Sequence, residues 1–409
     1  MRALFIHQNF PGQFTHLAPA LARRGDEVRA LGITPKPADG VRVETYRPDR
    51  GNTRGIHPYA QEFETKMLRA DACAQAMTRL RSEGFAPDVV ITNPGWGEAI
   101  FAKDVWPSAR LLNYLEFFYR AEGADVGFDP EFADEPTSVR FRTRAKNACN
   151  LIALDQMDLG LSPTRWQAST MPPLYRDRIR VIFDGIDTQR VRPDAGVSLV
   201  LAQGTPRQRT VRPGDEVITF VNRNLEPYRG YHRFMRALPG ILARRPNAVA
   251  IIVGGADVSY GRPPPEGTTW QQHFLDEVKD ALDLARVFFV GKVPYASYLR
   301  LLQLSACHVY LTYPFVLSWS CIEALSAGCV VVGSDTAPVR EVIDPGRNGI
   351  LVGFHDTAAL VDRVVDVLSD PGAYAAMRAR ARAGAVEQYD LSSRCLPAQL
   401  RLIDELAAG

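Results

Sequence analysis

The chain has 409 residues, 48 basic against 46 acidic side chains and a formal net charge of +2. That length suits two domains that each bury a core, and the charge balance excludes a nucleic-acid partner held by phosphate neutralisation alone. The six cysteines, Cys73, Cys149, Cys307, Cys321, Cys329 and Cys395, form no C-x-x-C pair and read as reduced, buried thiols of a cytoplasmic protein. The start, MRALFIHQNF, turns polar after six residues, and no later apolar run approaches ~20 residues, so the expectation is a soluble protein, at most peripheral on a membrane.

ALFIH (3–7) reads as a buried strand that breaks into QNFPGQF before a helix from Thr15 to Arg24, with Leu17, Ala18 and Leu21 on one face. The lone Gly12 in that turn is not the G-x-G-x-x-G of a dinucleotide fold, which disfavours a nicotinamide enzyme. EVRALG (27–32) and VRVETY (41–46) follow as strands, 60–83 as a helix, and PDVVITN (87–93) and RLLNYLE (110–116) as further strands. In open parallel sheets ligands bind beyond the carboxyl ends of the strands, which places Gly12, Gln13, Asn93, Trp96, Glu98 and Glu116 on one rim. Acids and an aromatic face there suit a sugar, since carboxylates take paired hydroxyls and rings stack on C–H patches. Gly12 also reads as a tight turn, Trp96 as core, and Glu98 as a first-turn helix residue favoured by the dipole. Glu116, set between apolar runs, ranks above Glu98, because an unpaired buried carboxylate costs several kcal/mol. In VRFRTRAKNA (139–148), Arg140 and Arg144 share a helix face, either solvated or in contact with a membrane surface or an anionic acceptor.

Residues 189–214, rich in proline, glycine and basic side chains, have linker composition. EVITFVN (216–222) opens a second run of strands, and the loop from Arg223 to Gly230 offers two arginines, Arg223 and Arg229, before a helix at 231–243. Paired guanidinium groups at a strand end suit a diphosphate. AVAIIVGG ends in Gly254 and Gly255, and VFFVGKV carries Lys292 and Val293 at its end, each with glycine where backbone can approach a ligand. CHVYLT, SCIEALSAG and CVVVGS then spell strand, helix and strand, with Gly328 as the helix cap. Leu317, Ser318, Trp319 and Ser320 lead into that helix, whose N-terminus is a seat for phosphate. Glu323 is expected on the first turn, either holding the two hydroxyls of a ribose or closing a capping box with Ser320. None of the seven histidines belongs to a metal-ligand pattern, so neither a metal nor a cofactor is expected.

Glu323, Ala324, Gly328, Val331, Val332, Ser334 and Asp335 match the second half of the donor-site signature of family 4 glycosyltransferases, the GT-B glycosyl transferases group 1, and the segment resembles that signature. The glutamate that the family places eight residues earlier is Phe315 here. Arg223 and Arg229 resemble the family's G-R-x-x-x-x-K-G turn, with arginine for lysine one residue later. VIFDGID resembles its V-I-x-N-G-I/V-D junction, with Asp184 for asparagine, and Asn93 or Pro94 stands where the family often has histidine.

The resemblance implies an α/β fold of two doubly wound, parallel-sheet, Rossmann-like domains facing a cleft. Their spans would be 1–188 on the acceptor side, a linker at 189–214, 215–385 for the nucleotide sugar, and a helix at 386–409 crossing back to the first domain. The implied activity is metal-independent, retaining transfer from a UDP- or GDP-sugar to a hydroxyl of a glycan or small-molecule acceptor, in glycan, lipid-linked glycan or glycoconjugate synthesis. Arg223, Arg229 and Glu116 would be catalytic. Gly254, Gly255, Lys292, Val293, Leu317, Ser318, Trp319, Ser320 and Glu323 would bind the donor, and Gly12, Gln13, Asn93, Trp96 and Glu98 the acceptor side. A sugar-nucleotide epimerase and a non-catalytic sugar-nucleotide-binding protein are the alternative readings.

Overall fold

A computed structural model describes residues 1–133 and 135–409, and the chain divides into two compact units, Met1–Gly185 with Ser392–Gly409, and Ile186–Leu391. The first is built on seven strands: β1 (Arg2–Ile6), β2 (Glu27–Gly32), β3 (Arg42–Thr45), β4 (Val89–Thr92), β5 (Arg110–Tyr114), β6 (Leu159–Ser162) and β7 (Ile179–Val181). They lie parallel in the order β3-β2-β1-β4-β5-β6-β7, with Phe5 between Ala30 and Ile91. Alternate residues of β1 feed opposite faces, as the two-residue period of a strand requires. Leu4 and Ile6 pack with Cys73, Met77 and Leu80 of a long helix, whereas Ala3 and Phe5 pack with Phe14, Leu17 and Leu21 and with Leu402 and Ile403 of the terminal helix Leu396–Ala408. Because both faces are covered there, the central strands β1 and β4 are apolar along nearly their whole length. The helices between them are α1 (Leu17–Arg23), α2 (Gln61–Ser82), α3 (Ala102–Val105), α4 (Pro136–Lys146), α5 (Ala148–Gln156) and α6 (Arg165–Thr170).

The second unit begins with a short antiparallel pair, β8 (Leu199–Leu201) and β9 (Arg209–Val211). Its main sheet is parallel in the order β12-β11-β10-β13-β14-β15. These strands are β10 (Val217–Asn224), β11 (Val249–Gly255), β12 (Val287–Gly291), β13 (Cys307–Tyr310), β14 (Val330–Ser334) and β15 (Ile350–Val352). Around them lie α7 (Tyr231–Arg244), α8 (Trp270–Val278), α9 (Tyr295–Leu304), α10 (Trp319–Ser326), α11 (Ala337–Arg340), α12 (Thr357–Ser369) and α13 (Ala375–Tyr389). The Phe220 and Phe234 rings stack at 4.5 Å, fixing α7 on β10. Strand order reverses between β1 and β4 in one unit and between β10 and β13 in the other, and beyond such a reversal the loops part and leave a crevice.

Residues 189–214 are not a free linker. Val191, Val197, Leu201 and Val211 are buried, and the Val191 carbonyl accepts from Ser326 and Arg382, so the segment is part of the second unit, which begins at Ile186. Its proline and glycine content hides four buried apolar residues, of which Leu201 lies on β8 and Val211 on β9. The stretch joining the first unit at the end starts at Ser392 rather than 386, because α13 runs on to Tyr389 and belongs to the second unit. All six cysteines are buried thiols outside any disulfide, and among the described residues no helix is long and apolar enough to cross a membrane.

Candidate active site

At the reversal in the second unit, the loops after β10 and β13 are tied to each other. Arg229 is 5% exposed, and its Nη1 donates to Thr312 Oγ1 and to the Val316 carbonyl, both at 2.9 Å. The Tyr313 amide donates to the Tyr228 carbonyl at 3.1 Å. Gly230 follows with φ +69°, and a Cβ there would lie 2.3 Å from that of Leu311. Only glycine both adopts this left-handed turn without strain and lets the β13 loop come so near. The Arg229 guanidinium lies 5.1 Å from the Tyr260 ring and 5.5 Å from that of Phe315. Tyr228 and Tyr260 pack on Phe315 at 5.1 and 5.0 Å. Phe315 is thus one wall of an aromatic nest around a cation.

Arg223 is the penultimate residue of strand β10 rather than part of the loop, exposed and without an ion pair among the described residues. Asn224 beside it is buried, with Nδ2 on Ser259 and Oδ1 without a partner. A Cβ on Gly255 would meet Lys292 Cε at 2.4 Å and Asn224 Oδ1 at 2.6 Å, so glycine is what lets these side chains meet. Gly254 lies as close to Leu225. Lys292 is exposed and pairs with Asp257 at 2.9 Å, and Val293 is half-buried after it. Ser334, at the end of β14, exchanges two bonds of 3.0 Å with the Thr312 backbone.

The helix expected from Ser320 starts earlier. Ser318 is the N-cap of α10, its amide bonded to the Tyr310 hydroxyl, with Leu317 buried and Trp319 and Ser320 half-buried in the first turn. Glu323 therefore lies beyond the first turn and forms no capping box. Its carboxylate instead accepts from Tyr295 Oη at 2.6 Å and Tyr298 Oη at 2.7 Å. Burial pushes its pKa up, and the two phenols pull it back in part.

In the first unit the structure brings Asn93 and Glu116 together. Asn93 accepts from the Gly95 amide with Oδ1 and donates from Nδ2 to Glu116 Oε2 at 3.3 Å, while Glu116 itself is half-buried. Of the two acids it is Glu98, not Glu116, that is fully buried. Glu98 is 0% exposed, and neither oxygen has a hydrogen-bond partner among the described residues. Burial pushes its pKa up to about 7, against the Tyr46 hydroxyl and the Arg69 and Lys66 charges. It does not open to a rim, because the 3-10 turn Pro94–Trp96 and Gly97 carry the chain inward. Trp96 is half-buried, with its Nε1 enclosed. Gly12 is occupied too, since a Cβ there would lie 2.6 Å from the His7 ring; Gln13 follows, half-buried. Arg140 and Arg144 line a cavity of 460 Å³ with Phe118, Asn147 and Leu151, and Arg140 pairs with Glu122.

Several residues at these sites carried no sequence motif. His7 ends β1, accepts from the Asn9 amide at 3.1 Å and is held neutral by burial, its pKa lowered to about 4. Glu226 is buried and accepts from the amides of Ser259, Tyr260 and Gly261 at 3.1 to 3.2 Å, which brings Tyr260 to Arg229. A carboxylate between Leu225 and Pro227 was a readable sign of that role. Tyr295 and Tyr298, three apart and so on one helix face, were the sign of the Glu323 contact.

Residues 24–191 match the Glycosyl transferase family 4 group and residues 203–384 the Glycosyl transferases group 1. The phosphatidyl-myo-inositol mannosyltransferase of Mycolicibacterium smegmatis is 29% identical over 248 residues, 60% of this chain and 55% of that one. The D-inositol 3-phosphate glycosyltransferase of Nocardia farcinica is 26% identical over 220 residues, 53% of this chain and 46% of that one. The chain thus spans about half the length of the curated relatives it matches. Sucrose-phosphate synthase from Thermosynechococcus elongatus superposes with a TM-score of 0.76 at 16% identity, over 100% of both chains. HepE of Anabaena, solved in complex with UDP and glucose, does so at 0.68 and 15%, over 99% of this chain and 100% of that one. Two parallel-sheet α/β units, the two family matches that together cover both of them, and these GT-B likenesses lead to one statement: the chain belongs to the group 1 glycosyltransferases of family 4.

Proposed function

We propose that the chain transfers a sugar from a UDP- or GDP-linked donor to an acceptor hydroxyl, with retention at the anomeric carbon. The observation that carries this reading is the cluster at the reversal of the second sheet, where Arg229, the exposed Arg223 and the first turn of α10 come from the ends of adjacent strands. A diphosphate leaving group gains charge as its bond to the sugar breaks, and pre-placed cations and amide N–H groups lower that barrier. Arg229 spends only Nη1 on the protein, which leaves Nη2 and Nε for phosphate oxygens. Arg223 and Lys292 add charge from the ends of β10 and β12, and the amides of Trp319 and Ser320, in the first turn of α10, add a helix N-terminus. The charge in this reading comes from side chains, so no divalent ion takes part.

Glu323 takes the ribose hydroxyls and Gly254 and Gly255 let the nucleotide lie against the backbone. In the first unit Asn93 and Glu116 serve the acceptor, with Glu116 as the group that receives its proton. The relatives support a hexose donor, one being named as a mannosyltransferase and the Anabaena protein being solved with UDP and glucose. Their names also pair transfer with inositol-containing acceptors, so a polyhydroxylated acceptor is the substrate class we assign. The place of action is the cytoplasm, in keeping with six buried thiols outside any disulfide.

Incubation of the purified chain with isotopically labelled UDP- and GDP-sugars and polyol acceptors tests the reading. Labelled glycoside, or slow hydrolysis where the acceptor is wrong, supports it. An isomeric nucleotide sugar would make the chain an epimerase, and donor binding without any product would make it a binding protein.

A further inference from the structure

Glu323 is the acid assigned above to the ribose, and the structure shows it already holding two hydroxyls of the protein itself. An ionised carboxylate offers about four acceptor positions, two on each oxygen. Tyr295 takes one on Oε1 and Tyr298 one on Oε2, so each oxygen keeps one for a ligand. The two phenols come from one helix, three residues apart on α9, and each holds a different oxygen, which fixes the plane of the carboxylate. Their surroundings differ. Tyr298 is 8% exposed, whereas Tyr295 is 43% exposed and lies under the Arg190 guanidinium at 4.8 Å.

We propose that Tyr295 and Tyr298 are positioning residues that aim the Glu323 carboxylate at a vicinal diol, so that the site selects a ribonucleoside diphosphate over its 2′-deoxy counterpart. The inference rests on the ribose reading of Glu323. With one acceptor position per oxygen left, a ribose fills both, and a 2′-deoxyribose leaves one buried oxygen without a donor. Sites built to bond a substrate hydroxyl reject the analogue that lacks it for this reason.

The same two bonds keep the acid charged. Burial raises the Glu323 pKa and the phenols lower it, so removing either phenol raises it further. The other groups that act on the pair are Arg190 and Asp187, near Tyr295, and Cys329, near Tyr298. Once protonated, Glu323 donates one proton and accepts less, and a diol no longer fits. The nucleotide affinity therefore falls as pH drops through the Glu323 pKa, and in a variant lacking one phenol the fall begins at higher pH.

The test is calorimetric titration of UDP, GDP and their 2′-deoxy forms into the full chain between pH 5 and 8. The proteins are wild type, Tyr295→Phe, Tyr298→Phe and Glu323→Gln, and a melting temperature is taken for each. Wild type is expected to prefer the ribonucleotide by about tenfold or more. Each phenylalanine variant is expected to lose several-fold of that preference and to show its acid decline at higher pH. Tyr295→Phe, at an exposed position, keeps the question open to test should the buried Tyr298→Phe fold poorly. Phenylalanine variants that retain the wild-type preference and pH profile, while Glu323→Gln loses both, overturn this inference alone. Unchanged nucleotide binding in Glu323→Gln overturns the ribose reading beneath it.

Discussion

Glu98→Gln gives a change of stability whose sign follows from burial and whose size is what remains after the Tyr46 hydroxyl and the Arg69 and Lys66 charges oppose it. The folded pKa is about 7 against an ordinary 4.5. Below 4.5 both folded and unfolded chains carry the proton, and the acid has no effect. Between 4.5 and 7 the folded chain keeps a proton that the unfolded chain releases, so stability declines as pH rises. Above 7 the deficit is complete at about 3 kcal/mol, from about 1.4 kcal/mol for each pH unit of displacement. Glutamine has the shape of the protonated acid and never ionises. Neither Glu98 oxygen has a hydrogen-bond partner among the described residues, and glutamine keeps a carbonyl oxygen toward the Tyr46 hydroxyl whose pull opposes the shift. The variant is expected to match wild type near pH 4.5 and to exceed it by up to about 3 kcal/mol at pH 8. Urea denaturation of both proteins at pH 5, 6, 7 and 8, read on the transition of the first unit, measures the difference. His7 titrates in part of this window but is common to both proteins and cancels. Parallel curves across the whole range would show that Glu98 is ionised in the fold and that its burial has been answered by a charge.

Gly230→Ala combines a left-handed turn with a close approach to Leu311, and is expected to destabilise the second unit by about 2 to 5 kcal/mol in denaturant titration. His7 and His308 are both buried with pKa lowered to about 4, so between pH 6.5 and 4 the unfolded chain takes up protons that the fold refuses. Stability is expected to fall with pH across that window by about 3 kcal/mol for each histidine, and His308→Gln should flatten the decline in the second unit. Arg223→Ala should lower turnover and leave the melting temperature unchanged, because the side chain is exposed and bonds nothing. Arg229→Ala should lower both, since Thr312 and the Val316 carbonyl lose their donor. Equal melting temperatures for the two variants would mean that the Arg229 bonds do not hold the loops.

Much of the fold was legible because central parallel strands covered on both faces, such as β1 and β4, are nearly unbroken apolar runs, and the β/α alternation around them is regular. EVRALG and the helix at 357–369 fall on the residues expected. What composition hid was the opposite case. In 189–214 the apolar residues are spread among prolines and glycines, and no period announces that Val191, Val197, Leu201 and Val211 turn inward. Strand β6 was missed since LGLS is short and contains glycine. At the candidate site, strand ends led to the loops that carry Arg223, Arg229, Lys292 and Ser318, a placement that follows from topology. Side-chain direction was beyond reach. Glu98 and Glu116 occupy similar places in sequence, yet a 3-10 turn sends one into the core and leaves the other beside Asn93. Glu226 and Tyr295 act through partners 33 and 28 residues away, a relation that spacing within one element does not disclose.

The account turns on a sugar leaving a nucleotide diphosphate with its anomeric configuration kept. The direct measurement is NMR of the first-formed glycoside, or of the first-formed free sugar where hydrolysis replaces transfer, from an α-linked UDP- or GDP-hexose. An α product, lost when both Arg223 and Arg229 are replaced, is the predicted result. A β product formed first, or an α product formed as fast without the two arginines, would contradict it.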